Sequence, residues 1–278
     1  MARNFRELLE ARWEEGKFLC VGLDSDLQKI PESSQKESNR ATIVAFNRAI
    51  VDATRDLVCA YKPNSAFYES RGDEGLAALR ETIAYIQEVA PGVPVVLDAK
   101  RGDIANTNER YAEAAFDYLR ADAITVLPYL GGEPLKPFFD RKDKGIIVLS
   151  HTSNPGAAEI QELSVGGMPL YKYIAKRASE NWNKNGNCSV MVGATYPEQL
   201  SEVRQVIGDM PILIAGIGAQ DGDLEKTIAS GKDSRSKGLI INASRSIIFA
   251  SKGPDFAEIS RAKASELHSE ISRAMIRS

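Results

Sequence analysis

The sequence has few of the residues that most often carry metal-dependent and nucleophilic chemistry. Among its 278 residues are only two histidines (His151 and His268) and three cysteines (Cys20, Cys59 and Cys188). No His/Cys group with the spacing of a zinc site can be assembled from them. Each cysteine lies in a short apolar run, as a buried packing residue does. We therefore predict no metal, and we expect carboxylates, lysines and backbone dipoles to carry any catalysis.

The sequence also lacks the marks of two classes of partner. It has no run of about 18 apolar residues, so we expect no membrane span. Thirty-five basic residues against 38 acidic ones give a net charge of −3, which is not the basic footprint of a nucleic-acid-binding protein. The opening MARNFRELLEARWEEG is charged throughout and lacks the apolar core of a signal peptide. Together with the odd number of cysteines, this opening predicts a cytoplasmic protein.

Eight short apolar runs alternate with longer amphipathic stretches. The runs are residues 18–25, 57–64, 94–101, 123–128, 145–152, 188–195, 211–218 and 238–245. Helical patterns cover residues 42–54, 74–89, 104–120, 170–181, 198–207, 223–230 and 255–276. Runs this apolar, without clean alternation, are typical of strands buried on both faces of a parallel sheet. Eight such units predict a (β/α)8 TIM barrel, with an open doubly wound sheet as the alternative. We predict one domain over residues 1–278, with an N-terminal helix.

Charged residues interrupt the third apolar run at its C-terminal end. Asp98 and Lys100 are two residues apart, so on a strand both point to the same face, inside the barrel mouth. Asp103 follows in the turn, and Lys62 stands at the matching height of the second run. The four charges are predicted to converge there. The alternative is a buried ion network that only satisfies itself, but burying each ion costs several kcal/mol before pairing, so a functional site is favoured.

The seventh and eighth runs end in residues suited to phosphate. Gly216 to Gln220 form a glycine-bearing strand exit, and Arg245 ends the eighth run with a guanidinium. Loops after the last two strands are the usual phosphate position in barrels, although an ordinary tight turn remains the alternative for the glycines. The segment 152–156 (TSNPG) could contact a polar heterocycle or form a plain turn. For His151 we predict a local structural role rather than that of a base.

Six motifs, spread from the first run to the last, carry a resemblance to a known family. They are VGLDSD (21–26), YKPN (61–64), VVLDAKRGDI (95–104), TSNPG (152–156), GIGAQDGD (216–223) and INASRSI (241–247). Together they resemble the orotidine 5'-phosphate decarboxylase family, in its longer bacterial form. The resemblance implies decarboxylation of orotidine 5'-monophosphate to uridine 5'-monophosphate, the last step of de novo pyrimidine synthesis, without metal or organic cofactor.

The resemblance also implies a role for each matching residue. Lys100 is expected to protonate C6 of the pyrimidine, Asp98 to lie against the substrate carboxylate, and Lys62 and Asp103 to complete the charged network. Asp24 and Lys62 are expected at the ribose hydroxyls, Ser153 at the pyrimidine edge, and Gln220 with Arg245 at the phosphate. Pro155 and Thr107 are also expected among the substrate-binding residues. A homodimer is implied in which Asp103, Ile104 and Thr107 reach the partner subunit's site.

Three other functions remain open from the sequence. A magnesium-dependent barrel enzyme, such as a hexulose-phosphate synthase or a keto-gulonate-phosphate decarboxylase, would carry an acidic ligand where Lys62 stands. A Schiff-base aldolase would use Lys62 or Lys100 in its uncharged form, which neighbouring carboxylates disfavour. A nucleotide-binding barrel without chemistry would have lost the charges of the third run, all of which are present here.

Overall fold

Eight parallel strands surround a common core in the structure, a computed structural model that describes residues 3–217 and 224–277. The strands are β1 (Leu19–Leu23), β2 (Val58–Pro63), β3 (Val96–Arg101), β4 (Ala123–Val126), β5 (Gly145–His151), β6 (Cys188–Gly193), β7 (Ile212–Ala215) and β8 (Leu239–Ala243). Each lies within one of the eight predicted runs. Their residues are almost all buried, as expected for strands that face a core on one side and helices on the other.

The sheet closes on itself. Each strand pairs in parallel with the next, except that β2 and β3 are joined only by the bridges Tyr61 to Val95 and Asn64 to Asp98. The last strand, β8, pairs with β1, where Leu19 lies opposite Ile241. The predicted (β/α)8 barrel is confirmed.

The helices surround the barrel. They are α1 (Phe5–Glu14), α2 (Asn39–Thr54), α3 (Ser65–Glu69), α4 (Gly72–Val89), α5 (Ala105–Ala112), α6 (Lys136–Phe139), α7 (Ala158–Gln161), α8 (Leu170–Arg177), α9 (Pro197–Ile207), α10 (Leu224–Gly231), α11 (Arg245–Ile248) and α12 (Phe256–Arg277). The helices predicted at 104–120 and 170–181 both change to π-helical turns, at Glu113–Tyr118 and Ala178–Trp182. No helical pattern was predicted between the fourth and fifth runs, and the helix found there, α6, has only four residues.

Helix α1 closes one end of the barrel. Phe5 packs against Gly145, where a Cβ atom would lie 2.2 Å from the ring. The Trp13 indole donates a hydrogen bond of 2.7 Å to the carbonyl of Leu239. Because Gly145 and Leu239 are the first residues of β5 and β8, α1 lies against the N-terminal ends of the strands. The opposite end of the barrel is left for a site.

The longest connection in the described ranges follows β5. It contains α7 and a two-stranded hairpin that pairs Ser164–Val165 with Met168–Pro169. Over the described part of the chain, no helix is both long and apolar enough to cross a membrane.

Candidate active site

A buried carboxylate lies between two lysines at the C-terminal end of the strands. Lys62 Nζ lies 2.9 Å from Asp98 Oδ2, and Lys100 Nζ lies 2.6 Å from Asp98 Oδ1. The side chains of Lys62 and Asp98 are 3% and 4% exposed, whereas that of Lys100 is 38% exposed. We call these three residues the charged triad. Its exposed member is the one that can meet a ligand in the barrel mouth.

The backbone at Lys100 departs from a regular strand. Its φ is +47°, in the left-handed region, and the pairing of β3 with β4 shifts register between Leu97 and Arg101. The Lys100 N–H donates a hydrogen bond of 2.9 Å to Thr125 Oγ1, and that hydroxyl donates one of 3.0 Å to Asp98 Oδ1. Such a backbone costs about 1–3 kcal/mol in a residue other than glycine, and it concentrates at functional sites. Thr125 on β4 therefore stabilises both the strained backbone and the carboxylate.

Within the triad, Asp98 and Lys62 hold each other ionised. Burial alone would raise the pKa of Asp98, but the two ammonium groups outweigh it and set that pKa well below its usual range. Burial would likewise lower the pKa of Lys62, but Asp98 and then Asp24 outweigh it and raise that pKa. A lysine held as an ammonium is not a Schiff-base nucleophile, so the geometry disfavours the aldolase alternative.

Asp24 extends the site toward β1 and β8. Its Oδ1 lies 3.9 Å from Lys62 Nζ and is buried without a hydrogen-bond partner among the described residues. Asn242 Oδ1 and Ser244 Oγ, at the end of β8, are also buried and unpartnered within the same ranges. Gly22 allows this close packing, since a Cβ there would lie 1.7 Å from Ser244 Oγ. These oxygens are therefore free to hydrogen-bond a polar ligand.

Ser153 lies at the mouth of the barrel over two glycines. A Cβ on Gly193 would lie 2.8 Å from the Ser153 backbone nitrogen, and one on Gly216 would lie 3.7 Å from Ser153 Oγ. Ser153 is therefore held at the C-terminal ends of β6 and β7. Pro155 is exposed and begins a 3₁₀ turn, Pro155–Ala157.

Asp103 stays outside the charged triad within this chain. Its Oδ1 accepts the Ile104 N–H at 2.7 Å and its own N–H donates to Asn108 Oδ1 at 3.0 Å. No ion pair among the described residues includes it, so three of the four expected charges converge rather than four. Ile104, beside it, is 57% exposed, and Thr107 lies in the first turn of α5.

Only some of the residues expected to bind phosphate lie in the described part of the chain. Arg245 begins α11, is exposed, and has no carboxylate partner among the described residues. Gly216 has a φ of +101°, a conformation that favours glycine. Residues 218–220 of the glycine-bearing exit, among them Gln220, lie outside the described residues. In residues 3–217 and 224–277, no three His, Cys, Asp or Glu side chains are grouped so as to hold a metal ion.

Comparison with known proteins decides the family. The family model described as "Orotidine 5'-phosphate decarboxylase / HUMPS family" matches residues 17–258. The chain belongs to this family. It is 46% identical over 272 residues to the orotidine 5'-phosphate decarboxylase of Cellvibrio japonicus, covering 98% of this chain and 99% of that protein. The protein of the same name from Cupriavidus necator is 47% identical over 271 residues, with 97% and 98% coverage.

Solved structures of the family share the fold. The OMP decarboxylase of Leishmania donovani matches with a TM-score of 0.85 and 40% identity, over 98% of this chain and 99% of that one. The UMP synthase of the same organism matches with a TM-score of 0.87 and 40% identity, and there the chain spans 57% of the longer protein. The resemblance carried by the six motifs is thereby confirmed at the level of family and fold.

Some residues of the site received no role in the sequence analysis. Thr125 donates to Asp98, and Asn64 Nδ2 approaches the same carboxylate at 3.4 Å. Asn242 and Ser244 carry unpartnered buried oxygens. Thr125 had a signal, because it is the one hydroxyl within the apolar run 123–128.

Proposed function

We propose that this protein decarboxylates orotidine 5'-monophosphate to uridine 5'-monophosphate and CO2, the last step of de novo pyrimidine synthesis. The observation that carries the proposal is the charged triad, a half-exposed ammonium held by a buried carboxylate in the mouth of a barrel of this family. No metal and no organic cofactor take part in the proposed reaction.

Lys100 is the proposed proton donor. The bond between C6 and the carboxylate carbon breaks, its electron pair stays on C6, and CO2 leaves. The Lys100 ammonium stabilises the developing carbanion and then transfers a proton to C6, after which the amine regains a proton from solvent. Its Nζ lies 2.6 Å from Asp98 Oδ1, and this ion pair holds the ammonium in a fixed position. Electrostatic stabilisation of this kind is usually the largest single contribution to catalysis.

Asp98 and Lys62 are proposed to set the electrostatics around the reacting carbon. With its pKa held low, Asp98 stays ionised and lies against the substrate carboxylate. Two like charges at that range disfavour the bound ground state, and loss of CO2 removes the repulsion. Lys62, buried and ionised, balances Asp98 and Asp24 so that the site tolerates this extra negative charge.

The rest of the substrate is assigned to the remaining mouth residues. Asp24 and Lys62 bind the ribose hydroxyls, Ser153 the pyrimidine edge, and Gln220 and Arg245 the phosphate. Pro155 and Thr107 also belong to the proposed substrate-binding residues. Support comes from the unpartnered Oδ1 of Asp24 and from the exposed Arg245 guanidinium, which has no carboxylate partner in the described part of the chain. A guanidinium suits bidentate phosphate contact, and binding of the remote phosphate supplies free energy for orienting the base.

A homodimer with shared sites is also proposed, with Asp103, Ile104 and Thr107 reaching the partner subunit's site. Exposed apolar side chains lie on either side of Asp103: Ile104, which follows it, is 57% exposed, and Leu127, which lies against Gly102, is 42% exposed. Exposed apolar side chains that are grouped on a surface mark protein–protein contact sites. The protein is proposed to work as one barrel domain in the cytoplasm, where its three free, buried cysteines remain reduced.

The reaction is tested by the ultraviolet absorbance of orotidine 5'-monophosphate with purified protein. We expect conversion to the uridine 5'-monophosphate spectrum, equal with and without EDTA. Lys100→Ala is expected to lower kcat by at least about 10³-fold, within the range of a lost general acid and its charge. Lys142→Ala, which removes an exposed lysine with no ion pair among the described residues, is the matched control. No conversion by folded protein would contradict the proposal.

The shared site is tested by mixing two inactive variants. Lys100→Ala and Asp103→Ala homodimers are dissociated and reassembled together. If Asp103 serves the partner's site, each mixed dimer has one intact site, and about a quarter of the wild-type activity returns. If each subunit is self-sufficient, no activity returns.

A further inference from the structure

The connection after β5 is tied to the end of that strand through side chains. His151 and Thr152 are consecutive, and each contacts one of the consecutive residues Glu162 and Gln161. His151 Nε2 lies 3.3 Å from Glu162 Oε1. The Gln161 amide makes two hydrogen bonds: its Oε1 accepts the Thr152 N–H at 2.8 Å, and its Nε2 donates to Thr152 Oγ1 at 2.8 Å. We call this pair of hydrogen bonds the amide clamp.

Thr152, which the amide clamp holds, directly precedes Ser153 in the chain. On its other side, the Ser153 backbone rests against Gly193, where a Cβ would lie 2.8 Å from the Ser153 nitrogen. Thr152 Oγ1 also donates to Asn154 Oδ1 at 2.6 Å, which continues the hydrogen bonding past Ser153. Ser153 is therefore fixed from the strand side by β6 and from the chain side by Gln161 acting through Thr152.

We propose that Gln161 is a positioning residue that holds Ser153 where it meets the heterocyclic base of the nucleotide. The inference rests on the proposed function, in which Ser153 contacts the pyrimidine. An uncharged amide suits this role because it satisfies a backbone donor and a hydroxyl acceptor at once without adding charge near an anionic substrate. Gln161 itself touches no reacting atom.

A purely structural role for Gln161 is disfavoured by its surroundings. Helix α7, which ends at Gln161, has only four residues, and none of them is buried. The helix therefore adds little apolar burial to the barrel core, and loss of the Gln161 amide leaves that core intact. What the amide clamp does fix is the backbone conformation around Ser153.

Gln161→Met tests the clamp because methionine keeps the length of the side chain and loses both hydrogen bonds. We expect KM for orotidine 5'-monophosphate to rise about tenfold while kcat changes less than about twofold, the pattern of lost uniform binding. Gln161→Glu keeps an acceptor for the Thr152 N–H but loses the donor to Thr152 Oγ1 and adds a negative charge near the anionic substrate, so KM is expected to rise in this variant too. Glu159→Met, on the same helix and without a polar partner in the described ranges, is the control and leaves KM unchanged.

A double-mutant cycle shows whether Gln161 acts through Ser153. Ser153→Ala alone is expected to raise KM, and adding Gln161→Met to it is expected to change KM by less than about twofold. Equal effects of Gln161→Met with and without Ser153 would overturn the inference, as would an unchanged KM in the single variant. If Gln161→Met does not fold by circular dichroism, Thr152→Val, which removes the hydroxyl half of the clamp, takes its place in the cycle. Failure of the proposed function is distinct, since wild-type protein would then not convert the substrate at all.

Discussion

Lys100 holds a backbone conformation that its residue type seldom takes, and the reason lies on the neighbouring strand. The buried Thr125 hydroxyl accepts the Lys100 N–H and donates to Asp98. Without that hydroxyl, the partly buried Lys100 N–H loses its partner, at a cost of up to about 1–3 kcal/mol. The position of the Lys100 ammonium thus depends on Thr125, which is itself uncharged.

Thr125→Val is predicted to disturb the position of the Lys100 ammonium without removing any charge from the triad. The variant keeps shape and removes the hydroxyl, so kcat is expected to fall about tenfold or more, because a small misplacement of a catalytic group is costly. Thr54→Val is the control: Thr54 is equally buried, on α2, and donates to the Ile50 carbonyl at 2.7 Å. It should lower the free energy of unfolding by urea without lowering kcat. Equal kcat values for wild type and Thr125→Val would contradict the prediction.

Asp98→Asn is predicted to change stability in a pH-dependent way. Removing one partner from a buried charge cluster costs about 3–5 kcal/mol. Because the pKa of Asp98 in the fold lies below its unfolded value of about 3.9, its contribution is complete above that pH and is lost as pH falls. The raised pKa of Lys62 keeps its contribution complete at all pH values below about 10.4.

Urea unfolding of both proteins between pH 3 and pH 9 provides the measurement. The difference in unfolding free energy is expected to stay constant from about pH 6 to pH 9 and to shrink below about pH 4. A difference that grows on acidification would show that Asp98 is not ionised in the fold.

The sequence could predict the members of the charged triad but not their arrangement. Alternating charges within an apolar run are visible in the sequence, and so is the matching height of Lys62. The left-handed backbone at Lys100 coincides with the register shift between β3 and β4, and no local sequence pattern encodes either feature. Asp103 is kept apart from the triad by the turn in which it hydrogen-bonds Ile104 and Asn108. The sequence pattern did not predict these hydrogen bonds either.

The strands were more predictable than the helices around them. All eight strands lie inside their predicted runs because burial on both faces leaves a continuous apolar signal. Short helices such as α3 and α11 have too few turns to produce a helical period. The π-helical ends of α5 and α8 depend on how each helix packs on the barrel, and the helical period in the sequence continues through them.

A substitution in helix α1 is predicted to lower the stability of the fold without affecting catalysis. Trp13→Phe removes the 2.7 Å hydrogen bond to the Leu239 carbonyl and is expected to lower the unfolding free energy by about 1–3 kcal/mol. Because α1 lies at the end of the barrel opposite the charged triad, kcat and KM should stay within about twofold of wild type. Urea unfolding and steady-state kinetics on the same preparation test both. A parallel loss of kcat would mean that α1 is coupled to the site.

At the scale of the whole molecule, the reactivity of the three cysteines measures how well the folded barrel shields its interior from solvent. Cys20, Cys59 and Cys188 are free and buried. Burial raises the pKa of Cys20 and of Cys188 to about 12 and that of Cys59 well above its usual value. Since the thiolate is the reactive form, a thiol reagent at pH 8 is expected to modify none of them in native protein and all three after unfolding in urea. Rapid modification of one thiol in native protein would indicate local opening of the barrel.

The pairing of β8 with β1 has a consequence for how the protein is made. Leu19 must find Ile241, and Trp13 must find Leu239, so both contacts span more than two hundred residues of chain. While the polypeptide leaves the ribosome, β1 has no partner on that side, and the parallel edge stays open until almost the last helix is synthesised. Such late, non-local closure slows folding and leaves a strand edge available for wrong pairing. A nascent chain stalled before residue 239 therefore leaves one edge of β1 without its partner strand.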